Sequence, residues 1–174
     1  MTFSEPQNNI KQLGLAEGMS VADFGAGSGF YSIEAAKKVK ESGKVYVVDI
    51  QKDLLDRVKN LAKKERLANI EIIWGDIEKV GGSKLGDLSV DVVIISNVLF
   101  QIENKESLLK EISRVLKHGG RVLVIDWTDS FGGMGPAQES IFTEDQVKKL
   151  FEEKGFTVQK NIYAGDHHYG VVFS

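Results

Sequence analysis

The sequence predicts an α/β fold, a doubly wound and mostly parallel sheet with helices on both faces. Three observations predict it. Short β-branched runs alternate with longer amphipathic runs along the chain, the pattern left by successive βαβ units. The run VDVVIIS at 90–96 is apolar almost throughout, as in a central parallel strand buried on both faces. Glycines at 25, 27 and 29 fall between a strand and a helix. In open α/β sheets that turn lies at the carboxyl edge, where ligands bind.

The 174 residues are 42% hydrophobic and 27% charged, the composition of one globular domain with one core. A formal net charge of −3 gives no global footprint for nucleic acid. The absence of cysteine excludes disulfides, thiolate metal sites and a cysteine nucleophile. No apolar run approaches the roughly 18 residues that a bilayer span requires. The first residues, MTFSEPQNNIKQLG, lack the apolar region of a signal peptide and read as mature protein. The expected location is cytoplasmic.

Taken in order, the first strand covers 20–24, and a helix over 30–41 follows the glycine turn. The second strand is 44–49. A helix over 53–67 carries Leu54, Leu55, Val58, Leu61 and Ala62 on one face, at helical spacing. The third strand is 70–74. A polar, glycine-rich connection over 81–89 leads to the fourth strand, 90–96. The next helix, 105–117, turns Leu108, Leu109, Ile112, Val115 and Leu116 inward, and Lys117, His118 and Gly119 are expected to close it. The fifth strand is 121–126. Residues 127–142 read as irregular, as does the N-terminal segment 1–14. The last helix spans 143–155, with Thr143 and Gln146 spaced as a capping box and Phe142 and Val147 as a hydrophobic staple. Strands at 157–163 and 168–173 follow. The short turn at 164–166 makes this last pair an antiparallel hairpin.

The segment VADFGAGSGFYS at 21–32 carries the chemistry. Glycine permits a sharp turn and lets a ligand come close to the backbone. A tight strand-to-helix turn without a ligand would use glycine too, but further residues join it. Asp49 ends the second strand, where a carboxylate accepts hydrogen bonds from both ribose hydroxyls, and Ile50 follows it. Gly75, Asp76 and Ile77 follow the third strand. There Asp76 suits an adenine amino group, and Ile77 offers backbone contacts and apolar surface. Ser96 and Asn97 end the fourth strand. Any one of these acids could serve as a turn or cap residue. Together, at successive strand ends, they outline a nucleotide site with Asp23, Phe24, Gly25, Ala26, Gly27, Gly29 and Tyr31.

The spacing distinguishes the nucleotide. A dinucleotide turn reads G-x-G-x-x-G with pyrophosphate at the helix N-terminus. Here the third glycine comes one residue early, and Phe30 holds its place. Asp23 before the turn would repel pyrophosphate but suits a cofactor bearing an ammonium or sulfonium charge. No G-x-x-x-x-G-K-[ST] phosphate loop occurs.

Over residues 15–174 the chain resembles the class I S-adenosylmethionine-dependent methyltransferases. DFGAGSG is similar to the family's first motif, VVDI to its ribose acid, GDI to its adenine motif and DVVIISNVLFQI to its fourth-strand motif. LLKEISRVLKHGGRVLVIDW is similar to its helix, double-glycine turn and fifth strand. His118 stands where the family usually has proline. The resemblance implies a Rossmann-like seven-stranded sheet in the order 3-2-1-4-5-7-6 with strand 7 antiparallel. It implies S-adenosylmethionine as cofactor and S-adenosylhomocysteine as product. It does not by itself imply a dedicated base.

An acceptor should lie at the carboxyl edge of strands four, five and six. Candidates there are Asn97, Asp126, Trp127, Tyr163 and the run Asp166, His167, His168, Tyr169. For catalysis the sequence offers His168, His167, Asp126 and Tyr169. Histidine serves as a base near neutral pH, although a polar hairpin start is the plainer account of this run. No spaced ligand motif accompanies it, so no metal is expected. Trp127, Phe131, Met134 and Phe142 bracket the segment FGGMG, a candidate substrate-side loop at 127–142. Phe3 and the stretch 6–10 are candidates to close the site from the N-terminal side, and Phe3 and Ile10 could equally be satellite core. With almost every residue committed to the fold, the first expectation is a small-molecule or lipid-like acceptor, by similarity to quinone-type enzymes. A homodimer or another partner completing the pocket, or a large acceptor on an open face, stays open. So do RNA or protein as acceptor, a nicotinamide oxidoreductase and a non-catalytic adenosyl-nucleoside-binding protein. The glycine spacing and the lack of a Tyr-x-x-x-Lys pair oppose the oxidoreductase.

Overall fold

The computed structural model describes residues 4–174. Seven strands, Ser20–Phe24 (β1), Lys44–Asp49 (β2), Ile70–Trp74 (β3), Val90–Ser96 (β4), Leu116–Trp127 (β5), Val158–Tyr163 (β6) and His168–Phe173 (β7), join in one sheet. Five α-helices occur among the described residues: Pro6–Leu13 (α1), Phe30–Val39 (α2), Lys52–Lys64 (α3), Lys105–Val115 (α4) and Glu144–Glu152 (α5). The strand order is β3-β2-β1-β4-β5-β7-β6. Pairings from β3 through β5 are parallel, and β7 runs antiparallel to both β5 and β6. No described helix is long and apolar enough to cross a membrane.

The core lies on both faces of the sheet, as the β4 sequence requires. Val92 and Ile94 join Ile10, Leu13, Ala36, Val39 and Val58 on one face. Val93 and Ile95 join Leu108, Ile112, Val115 and Phe151 on the other. Fully burying a side chain of this size stabilises by about 1.5–3 kcal/mol. The central strands therefore form a rigid base for the loops at their carboxyl ends.

Two local expectations are corrected. In the N-terminal segment, residues 6–13 are helical rather than irregular: Pro6 stands in the first turn of α1, and Gly14 closes the helix at φ 71°. Proline is pre-set for a first turn, and glycine for a left-handed cap. Buried Ile10 and Leu13 fix the helix against the sheet. Phe3, a candidate to close the site, lies outside the described residues. The second correction concerns the end of α4, expected at 117. The helix ends at Val115 and Leu116 turns extended, with φ −77° and ψ 130°. Leu116 pairs with Val90, and the next pair is Val92 with Arg121, so residues 117–120 loop out of register. Lys117 does not cap the helix; its Nζ lies 2.9 Å from Asp91 Oδ1. Leu116 stays in the core either way, and so apolar periodicity alone placed the boundary too late.

Candidate cofactor site

β1 delivers the chain to the carboxyl edge of the sheet, where Gly25 takes φ 70° and Gly29 takes φ 76°. Both positions are also crowded. A Cβ on Gly25 would stand 2.8 Å from Val98 Cγ2, and one on Gly29 would stand 2.5 Å from Val58 Cγ2. Any other residue would pay for both the backbone conformation and the clash. A Cβ on Gly27, by contrast, would meet nothing nearer than 4.0 Å. The turn thus presents bare backbone towards open space.

That space is a cavity of about 500 Å³. Gly25, Ala26, Gly27, Gly29, Tyr31, Asp49, Ile50, Gly75, Asp76, Ile77, Ser96 and Asn97 all line it. Asp23 and Phe24 stand behind it, 1% and 0% exposed. Asp23 accepts a hydrogen bond from the Ser32 hydroxyl. Burial, with the Asp49 charge adding to it, pushes the Asp23 carboxyl up to about 6 against the pull of Ser32. Asp49 Oδ2 accepts from Gly27 N at 3.0 Å, and Oδ1 from Gln51 N at 2.8 Å. The ribose acid of the sequence reading therefore also braces the glycine turn. Each carboxylate oxygen has a second lone pair for a ligand. Asp76 accepts from Glu78 N at 3.0 Å and pairs with Lys79 at 2.9 Å. The Lys79 bond holds the Asp76 carboxyl below its ordinary value.

Asn97 takes the left-handed conformation at φ 55°, and its N–H donates to Ile125 O at 2.8 Å. Its buried Oδ1 has no hydrogen-bond partner in the protein. An acceptor left without a protein donor in a cavity wall suits a ligand N–H. Val98, Gln101 and Ile102, which complete the wall after β4, fall within the fourth-strand motif but are not singled out by residue type, and Ser4 completes the wall before α1. Tyr31 explains the arrival of the N-terminal segment. Its hydroxyl lies 2.6 Å from Ser4 Oγ and accepts from Asn9 Nδ2 at 2.8 Å. Pro6 lines the cavity as well.

The candidates for catalysis lie beside this wall rather than in it. Asp126 is buried at the end of β5, and its carboxylate accepts from Leu99 N at 2.9 Å and Trp127 N at 2.9 Å. Burial pushes its carboxyl up to about 6, against those backbone bonds. Tyr169 donates to Phe142 O at 2.7 Å, tying β7 to the start of α5. Burial raises its phenol. His167 Nδ1 lies 2.7 Å from Asp129 Oδ1, and its ring stacks on Phe131 at 4.2 Å. His168, 7% exposed, lies 4.2 Å from the Trp127 ring, and neither of its ring nitrogens has a hydrogen-bond partner. Burial, then the neighbouring His167, lowers its pKa to about 4. His168 is therefore neutral at pH 7 and a weak base. A hydrogen bond to a substrate suits it better than proton abstraction. The loop after β5 is held by a bridge between Phe131 and Met134 and by packing of Gly135 against the Trp127 ring.

Strand order, glycine turn and acids at successive strand ends define the class: a Rossmann-like adenosyl-nucleoside fold of the methyltransferase type. Residues 15–169 match the family model described as a methyltransferase domain, and the chain belongs to that family. A solved S-adenosylmethionine-dependent methyltransferase from Aquifex aeolicus superposes with a TM-score of 0.88 at 30% identity, covering 98% of this chain and 89% of that one. A demethylmenaquinone methyltransferase of Lactococcus lactis is 35% identical over 117 residues, 67% of this chain and 45% of its own. An arsenite methyltransferase of Halobacterium salinarum is 29% identical over 155 residues, 82% of this chain and 38% of its own. The chain spans less than half the length of either curated relative.

Proposed function

We propose that the chain is an S-adenosylmethionine-dependent methyltransferase acting on a small-molecule acceptor of quinone-like size and polarity. The observation that carries this reading is a cavity that gathers the glycine turn, Asp49, Asp76 and Asn97 together. When bound there, the cofactor's sulfonium supplies an electrophilic methyl group. The protein's part is binding, orientation and exclusion of water. Asp49 would accept from the ribose hydroxyls, Asp76 from the adenine amino group, and the Asn97 side-chain oxygen from the amino group of the amino-acid tail. The N-terminus of α2 favours the carboxylate of the amino-acid tail.

The acceptor side is proposed at the ends of β5 and β7. Trp127, Phe131 and the two histidines place aromatic surface and imidazole together there, which suits a flat, partly polar molecule. The demethylmenaquinone relative supports the same class. The arsenite relative shows that related domains go with unlike acceptors, since fold does not fix function. His168 is the proposed positioning group, through its free ring nitrogens. Labelled methyl donor with a panel of hydroxylated aromatic acceptors tests the proposal. It predicts transfer that falls by about tenfold or more in His168→Ala while S-adenosylhomocysteine affinity holds. Transfer unaffected by that change would remove His168. Tight cofactor binding with no transfer to any small acceptor would contradict the acceptor class.

A further inference from the structure

The segment that carries Asp76 is gripped from outside the cavity. Asp76 N donates to Gly82 O at 3.0 Å, and Gly82 N to Lys79 O at 2.8 Å. The fit is close: a Cβ on Gly75 would stand 2.5 Å from Gly82 O, and one on Gly82 would stand 2.0 Å from Asp76 O. Asp76 therefore stands where Gly82 puts it. The residues flanking Gly82 are both held by Glu111 of α4. Gly81 N donates to Glu111 Oε2 at 2.6 Å and Ser83 N to Oε1 at 3.1 Å, and the Ser83 hydroxyl donates as well. Arg114 completes the set, with Nε at 2.9 Å and Nη2 at 2.7 Å from the same carboxylate.

The Glu111 side chain is 0% exposed and does not line the cavity. A buried charge persists only when its lone pairs are satisfied, and here backbone, hydroxyl and guanidinium donors do so. Burial raises its carboxyl, but the Arg114, Ser83 and Gly81 bonds outweigh that and hold it at about 2. The same helix reaches the loop again at its N-terminus, where Asn104 N donates to Glu78 at 2.6 Å.

We propose that Glu111 is the positioning residue for the adenine end of the site. Through Gly81, Gly82 and Ser83 it fixes the backbone at Asp76, and with it the position from which the carboxylate reaches the cavity, and so sets selectivity for a 6-amino over a 6-oxo purine. This rests on the assignment of Asp76 to adenine. A purely structural role would lower affinity for every ligand alike and leave that selectivity unchanged.

The test is calorimetric binding of S-adenosylhomocysteine and its 6-oxo analogue, S-inosylhomocysteine, to the full chain and to Glu111→Gln, Ser83→Ala and Asp49→Ala. The wild type should prefer the adenosyl ligand. Glu111→Gln should lose about tenfold of that preference, and Ser83→Ala part of it. Asp49→Ala should weaken both ligands and keep the preference. If Glu111→Gln fails to fold, Ser83→Ala decides, because it removes one hydroxyl and no charge. Wild-type preference in the folded Glu111 and Ser83 variants would overturn the proposal, as would an equal loss for both ligands. A wild-type chain that binds neither ligand, or both equally, overturns the cofactor assignment beneath it, and is recognised before any variant is compared.

Discussion

At the scale of single residues, the site joins backbone requirements to charge placement. Gly29 is the sharpest case. Its φ of 76° and the 2.5 Å that would separate an added Cβ from Val58 predict that Gly29→Ala lowers stability by about 1–3 kcal/mol and weakens cofactor binding with it. A denaturant melt at wild-type midpoint would contradict this. Asp23 makes a pH prediction. Its folded value of about 6 lies above the ordinary 3.8, so the folded state keeps a proton that the unfolded chain loses between those values. Stability should fall as pH rises from about 4 through 6, by about 3 kcal/mol for this group. Asp126 shifts the same way. Asp23→Asn keeps an acceptor for Ser32 and should flatten that fall in denaturant titrations across the window; an unchanged slope would count against it. Of these features, the glycines and acids were legible because their residue types and spacing are the signal. The pairing of Asp49 with Gly27 N, the free oxygen of Asn97 and the Glu111 clasp were not, because each depends on which atoms the fold brings together.

Among the elements, legibility followed burial. β4 declares itself through an apolar run packed on both faces, and α4 through one apolar stripe at helical spacing. α1 does not, since only Ile10 and Leu13 of its eight residues are buried apolar side chains. Its signals were Pro6 and Gly14 at the two ends, which define a helix as firmly as periodicity does. The end of α4 was misplaced because Leu116 is inward-facing in helix and strand alike. α5 shows the opposite case. The spacing of Thr143 and Gln146 predicted a capping box, and the reciprocal bonds are present. Thr143→Ala should cost about 1 kcal/mol in stability and leave cofactor affinity untouched, as melting and calorimetry would show. Neither Thr143 nor Gln146 lines the cavity. A large loss of affinity in that variant would mean that α5 shapes the site more directly than its contacts indicate.

For the whole molecule, the strand order places five parallel strand ends in one row, and the cavity opens where β1 and β4 lead their loops to opposite faces of the sheet. That switch point is the general ligand site of open α/β sheets. The sequence could announce it because glycine turn, ribose acid and adenine acid come at successive strand ends. The acceptor has no comparable signature. Its candidate residues lie on the loop after β5 and the turn before β7, where side chains from distant segments meet, and fold leaves acceptor chemistry open. The Trp127–His168 and Phe131–His167 pairs became visible as pairs only once β5 and β7 were side by side.

The most direct test of the central claim is titration calorimetry of the purified chain with S-adenosylmethionine, S-adenosylhomocysteine and NADH, run beside Asp49→Ala. Both adenosyl ligands should bind and NADH should not, and the variant should lose about tenfold or more in affinity as its ribose contacts disappear. Binding of NADH, or failure of both adenosyl ligands to bind the folded protein, would contradict it.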